Sequence, residues 1–162
     1  QTGKMVLTLN SQHLNDFGLT QTTVYLAEQL GDKVSSETEF PVSVVLLPNV
    51  TRFEGKNKQY APRLEYSTDS IALGMVNGKN LKKGVITLTN KGRLALKISS
   101  LQMFTKGMKV TLDKRELQPG ESAKLKVSID REQVKKARQR PRVLMITNDP
   151  DHSKVVIKVG VK

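Results

Sequence analysis

Few side chains in this 162-residue sequence have the types and spacings that do chemistry. Its two histidines, His13 and His152, lie far apart, and neither sits in a HExxH, HxH or cysteine context that would make a metal site. A lone imidazole can move a proton near neutral pH. General acid–base work needs a second group within reach of the same reacting atom, and the spacing supplies none. Asp149 and Asp151 flank Pro150. Carboxylates so placed can begin a calcium site, but two ligands are too few and an Asp-Pro turn accounts for both. GxSxG elbows, Walker loops and GxGxxG fingerprints are absent. The expectation is therefore no catalytic residue, no metal and no cofactor, which leaves an enzyme as the least favoured class.

The sharpest local feature is basic. Lys135, Lys136, Arg138, Arg140 and Arg142 put five cations into the eight residues 135–142. Such a run can grip phosphates or sulfates with salt-dependent affinity, and Lys82 and Lys83 would add to it if the fold brings them near. No aromatic lies within the run, so bases would have no stacking platform. An acidic glycan, lipopolysaccharide or other polyanion is thus a better match than nucleic acid. The competing interpretation is a solvated connector. Residues 61–162 hold 22 Lys/Arg against 9 Asp/Glu, a net charge of +13, whereas residues 1–60 are near neutral at −1. Polyanion attraction would therefore belong to the second part of the chain. Two modification patterns occur: Asp69-Ser70-Ile71, with Ser70 as an O-glycosylation acceptor, and Asn49-Val50-Thr51, an N-glycosylation pattern.

The elements that must carry these residues are strands. Hydrophobic content is 37% and falls in short bursts, aromatics make up 4%, and Trp is absent, so the core must be built from Val, Leu and Ile. There is no cysteine, hence no disulfide. No apolar run approaches the ~20 residues of a membrane-spanning helix. Period-2 alternation dominates: Leu125, Val127 and Ile129 alternate with Lys124, Lys126 and Ser128. Ile86 and Leu88, Leu96 and Ile98, Val143 and Met145, and Val155, Ile157 and Val159 repeat the pattern. Turn signals at Asn77-Gly78, Asn90-Lys91-Gly92 and Pro119-Gly120 separate the strands. This spacing predicts an all-β, antiparallel sandwich over 63–162. Short helical links are expected at Asn10–Phe17 and Arg131–Gln139, the second capped by Asp130 with Gln133 in the capping-box position.

The opening stretch repeats the closing one. Residues 1–10 set against 121–130, and Val42-Ser43-Val44 sets against Ile157-Lys158-Val159. The expected organisation is 1–48 as the C-terminal strands of an incomplete sister domain, 49–62 as a linker and 63–162 as a complete sandwich, all within a longer protein. The alternating Met5, Leu7 and Leu9 would form the first strand. An apolar sheet left half covered invites partners, so self-association through the first domain is expected.

Three phrases taken in series carry a resemblance. Ile86-Thr87-Leu88-Thr89-Asn90-Lys91-Gly92, Leu117-Gln118-Pro119-Gly120-Glu121-Ser122 and Ile146-Thr147-Asn148-Asp149-Pro150 resemble, in order and spacing, the bacterial Ig-like family related to Hydin and major sperm protein domains. The resemblance implies an immunoglobulin-like sandwich, often in tandem, in exported Gram-negative proteins, with no enzymatic activity tied to the family. It implies a structural or protein-interaction module of the cell envelope that is periplasmic, cell-surface or secreted, with an envelope protein or glycan as partner. Many members carry a Cys-Gly-Cys-type motif before the Pro-Gly turn. Here that stretch reads Ser99–Thr105 without cysteine, so no role of that motif transfers.

Overall fold

Alternation becomes burial in the second half of the chain. In β6 (Lys83–Asn90) Ile86, Leu88 and Asn90 are buried between exposed or half-buried neighbours, and in β10 (Ser122–Ile129) Ala123, Leu125, Val127 and Ile129 do the same. The computed structural model of the chain describes residues 3–27, 29–76, 79–81, 83–136 and 140–161. It divides into two compact units, Gln1–Leu46 and Leu47–Lys162.

The second unit is a two-layer sandwich. One sheet has the order β3 (Leu64–Tyr66), β6, β10, β8 (Met108–Leu112). The other runs β5 (Lys79–Leu81), β4 (Ser70–Val76), β12 (Lys154–Val161), β11 (Arg142–Thr147), β7 (Leu96–Met103), β9 (Glu116–Leu117). Their inner faces share one apolar cluster that includes Ile86, Leu88, Leu125 and Val127 from the first sheet and Leu73, Val143, Met145 and Ile157 from the second. Most ladders are antiparallel. The exception is β4 with β12, which pair in parallel with Lys158 opposite Ser70. In β11 the outward Leu144 and Ile146 are buried as well as the inward Val143 and Met145, so this strand is covered on both faces.

Asp130 caps α1 (Arg131–Lys135) as expected, accepting from the backbone N–H groups of Glu132 and Gln133 at 3.1 and 3.4 Å. The reciprocal half of a capping box is replaced. The Gln133 amide donates to the Asp130 carboxylate at 3.0 Å, and the Asp130 backbone N–H goes to the Gly107 carbonyl at 2.6 Å. Residues 47–62, which precede the first sandwich strand, cluster with the sandwich and form two 3-10 turns, Thr51–Phe53 and Gly55–Tyr60. Phe53 within them is only 4% exposed.

The first unit is an antiparallel hairpin of β1 (Gly18–Tyr25) and β2 (Glu39–Leu46). Residues 3–10 form no strand, although Met5, Leu7 and Leu9 alternate. Alternation yields a strand only where a neighbour supplies hydrogen bonds, and the ladders found in this unit are all between β1 and β2. The short helix expected at Asn10–Phe17 is a 3-10 turn, Ser11–His13, capped by the Asn10 side chain. The Asn77-Gly78 turn, Lys82 and Arg138 lie outside the described residues. No described helix is long and apolar enough to cross a membrane.

Candidate functional site

The polar chemistry of the sandwich gathers at the end where the chain enters it. Asn90, the last residue of β6, is fully buried. Its carbonyl oxygen accepts from Gly92 N at 2.9 Å and Arg63 N at 3.3 Å, and its amide donates to the carbonyls of Leu94 and Leu117 at 2.8 and 2.9 Å. That satisfies both ends of the side chain. Asp149 is 1% exposed. Its Oδ2 accepts from Leu64 N at 2.7 Å and lies 2.9 Å from His152 Nδ1, while Oδ1 accepts from Asp151 N at 2.8 Å. Asn148 bridges to the start of β7, accepting from Lys97 N at 2.8 Å and donating to the Ala95 carbonyl at 3.1 Å. A Cβ on Gly92 would stand 2.3 Å from the Ala61 carbonyl oxygen and 2.4 Å from Arg63 N, so only glycine lets these backbones meet.

The Asp149–His152 pair has the form of a hydrolytic orienting couple. What it holds is different: the Tyr66 ring stands edge-on to the imidazole with centroids 5.9 Å apart. Among the described residues no hydroxyl hydrogen-bonds the ring. The pair pins the β11–β12 turn to β3. Thr147 adds to the pin by accepting from Asp149 N and donating to the His152 carbonyl at 2.7 Å. His13 is exposed in the first unit.

Above this pinned end lies a cleft of about 350 Å³ bordered by Lys58, Arg63, Lys91, Arg93, Asp149 and Asp151. Lys58 Nζ meets Asp151 Oδ1 at 2.6 Å. That hydrogen bond holds the Asp151 carboxyl below its usual range, against a smaller desolvation effect.

The basic run is placed elsewhere. Lys136, Arg140 and Arg142 are exposed, the Lys135 side chain and Arg138 lie outside the described residues, and the Arg142 guanidinium sits 5.7 Å from the Phe104 ring centroid. Arg140 and Arg142 share a groove of about 550 Å³ with Lys158, and among the described residues no carboxylate borders it. Lys158 stands directly opposite Arg142 in the β11–β12 ladder. Ser70 is exposed at the start of β4, with its N–H donating to Thr68 Oγ1 at 3.2 Å. Asn49 is exposed, and its side-chain oxygen accepts from both the backbone N–H and the hydroxyl of Thr51.

Residues 62–160 match the HYDIN/CFA65/VesB-like, Ig-like domain family. The chain belongs to that family. A protein of unknown function from Porphyromonas gingivalis W83 has a similar solved structure, with a TM-score of 0.65 and 24% identity over 92% of this chain and 67% of that one. The secreted serine protease VesC from Vibrio cholerae also matches, with a TM-score of 0.37 and 12% identity over 77% of this chain and 27% of that one. No curated protein matches.

The three phrases that resemble this Ig-like family are thus structural clasps. Asn90 and Asp149 close the first and third. In the second, Gly120 has φ of 82° and Glu121 N donates to the Gln118 carbonyl at 2.9 Å, as in a type II turn. The Glu121 carboxylate accepts from Gln118 N at 2.9 Å and from Lys114 Nζ at 3.2 Å, contacts that hold its pKa below the usual value, the backbone bond contributing most. Sequence reading treated these residues as turn formers and missed the cleft. Lys58, Arg63, Lys91 and Arg93 come from two segments of ordinary charge density, and only the pairing of those segments signals the site.

Proposed function

We propose that this chain is a non-catalytic Ig-like module of the cell envelope, periplasmic, cell-surface or secreted, serving as a stiff spacer that engages an envelope protein or glycan. The observation that carries this reading is the saturation of Asn90 and Asp149 by the backbone of their own fold. Buried polar groups so used rigidify a domain and leave surface contacts as the route to function. The same reading takes 1–48 as the closing strands of a sister Ig-like domain joined through 49–62. Exposed Val6, Leu7, Leu30 and Val34 favour self-association through that first part. The test is a photo-crosslinker at exposed Met103 or Val85, in the full chain incubated with envelope fractions. A discrete adduct, competed by unlabelled chain, is expected. Turnover of small ester, peptide or glycoside substrates without any adduct would overturn the reading.

A second reading has its own observation. Like charges directly opposite in a ladder destabilise a sheet, yet Arg142 faces Lys158 beside a groove that no carboxylate among the described residues borders. That arrangement suits a bound polyanion held by Arg140, Arg142 and Lys158, with Lys135, Lys136 and Arg138 of the same sequence run as further candidates. Replacing these six by Gln is expected to lower markedly the salt needed for elution from heparin or lipopolysaccharide. Unchanged retention disposes of it.

A further inference from the structure

We infer that the cleft bordered by Lys58, Arg63, Lys91 and Arg93 is a second, separate anion site, built for a tetrahedral oxyanion: sulfate or phosphate, free or esterified to a sugar. Its charge balance comes first. Both bordering carboxylates are already engaged, Asp149 by two backbone N–H groups and His152, and Asp151 by Lys58. Lys91 has only a 4.0 Å approach to Glu65, with both side chains more than half exposed. The guanidinium groups of Arg63 and Arg93 have no hydrogen-bonded partner among the described residues. Four cations thus border the cleft against two carboxylates, both already hydrogen-bonded within the fold.

The cations stand on a fixed floor. Arg63 is clamped through its backbone at both ends, its N–H to Asn90 and its carbonyl to Lys91 N at 2.8 Å. Arg93 N donates to the Ala61 carbonyl at 3.3 Å, and its guanidinium rests 5.9 Å from the Tyr60 ring centroid. A ring face at that distance attracts a guanidinium while leaving its N–H donors free. Gly92 brings the two cation-bearing segments into backbone contact. Ordering the donors beforehand removes much of the entropy that binding otherwise costs. A planar carboxylate is satisfied by one guanidinium fork. Cations carried on two adjacent antiparallel segments can meet an anion from more than one side, which suits oxygens that do not lie in one plane.

The test follows ¹H–¹⁵N shifts of the full chain, titrated at constant ionic strength with sodium sulfate, inorganic phosphate, a sulfated disaccharide and acetate. Saturable shifts at Arg63, Gly92 and Arg93 with sulfate or phosphate, and weaker ones with acetate, are expected. Arg63→Gln combined with Arg93→Gln should weaken binding about tenfold or more, since each removes charge-assisted hydrogen bonds. Lys91→Gln, a single change that keeps the backbone N–H bonded to Arg63, should weaken it less and guards against misfolding of the double variant. Arg140→Gln with Arg142→Gln should leave it unchanged, which separates this site from the polyanion groove. A disaccharide bound tighter than sulfate assigns the ester source, and equal binding assigns the free ion. Acetate binding as tightly as sulfate, shifts spread over every exposed cation, or binding that survives the double substitution would each overturn the inference.

Discussion

Two antiparallel hairpins of similar composition meet opposite fates in this chain. In β11–β12 the inward Val143, Met145, Val155, Ile157 and Val159 are all buried. In β1–β2 the valines at 24, 42, 44 and 45 are at best half-buried, while Tyr25 and Phe40 are 48% and 38% exposed. Both ladders are regular, so hydrogen bonding does not distinguish them. The difference is the second layer: β11–β12 faces β6 and β10 across a shared cluster, and no second sheet is found among the described residues of the first unit. A two-stranded ribbon without a covered face is marginal in water. Pattern makes a strand, and a covering layer makes it stable.

The largest expected effect tests that difference directly. Ile157→Ala should destabilise the sandwich by roughly 2–5 kcal/mol, the range for truncating a fully packed side chain. Val42→Ala, its counterpart by sequence, should cost about 1 kcal/mol or less. Urea denaturation followed by residue-resolved amide exchange reads both. Equal losses would mean that the first hairpin has a core after all.

Asparagine offers the next contrast. Asn90→Ala leaves the carbonyls of Leu94 and Leu117 and the N–H of Arg63 without their partner inside the protein, at roughly 2–3 kcal/mol. Asn10→Ala removes one exposed cap bond to Gln12 N at 3.0 Å and should shift the melting midpoint barely at all. A thermal melt of each variant decides. A small loss for Asn90→Ala would show that water takes over its bonds, and the clasp reading would fail.

What the sequence disclosed follows the same line. Alternation identified Leu125, Val127 and Ile129 because each strand face has one environment. It failed at Met5, Leu7 and Leu9, where the pattern is present but no strand among the described residues pairs with it. It understated Leu144 and Ile146, since a strand covered on both faces has no polar side to reveal it. The clasps were legible as turns because Asn, Asp, Pro and Gly have local preferences. Their partners were not, because Asn90 to Arg63 and Asp149 to Leu64 are contacts across the fold. The cleft was hidden for that reason, whereas the 135–142 run was conspicuous because its charges are neighbours in sequence.

A smaller effect compares the two caps. Asp130 makes two backbone bonds and receives Gln133, and its own N–H is tied to Gly107. Asp130→Ala should cost about 1 kcal/mol, measurable as a shift in urea midpoint. It should also lower exchange protection at Glu132 and Gln133 while leaving β1–β2 untouched. Loss of protection in both units would show that the two compact units unfold together.

The smallest expected effect is acid sensitivity, and it belongs to the second unit. Asp151 and Glu121 have carboxyl pKa values lowered in the folded chain, by the Lys58 hydrogen bond and by the Gln118 backbone N–H respectively. A depressed folded pKa adds stability above the unfolded value, near 4 for these side chains. That stability disappears as pH falls through the folded pKa, because the unfolded chain then takes up protons first. Both groups are solvent-exposed enough for screening to keep the contribution small. The sandwich midpoint should therefore hold steady from about pH 7 to 5 and decline below about pH 4. Lys58→Met should flatten part of that decline by returning Asp151 to its ordinary range, and Glu121→Gln should remove a further part. Exchange protection of the β1–β2 ladder in Lys58→Met, followed over the same range, should match that of the parent chain. If Lys58→Met leaves the acid limb of the sandwich unchanged, the Lys58–Asp151 contact is not what ties residues 58–63 to the β11–β12 turn, and the backbone bonds of Asn90, Gly92 and Asp149 do that alone.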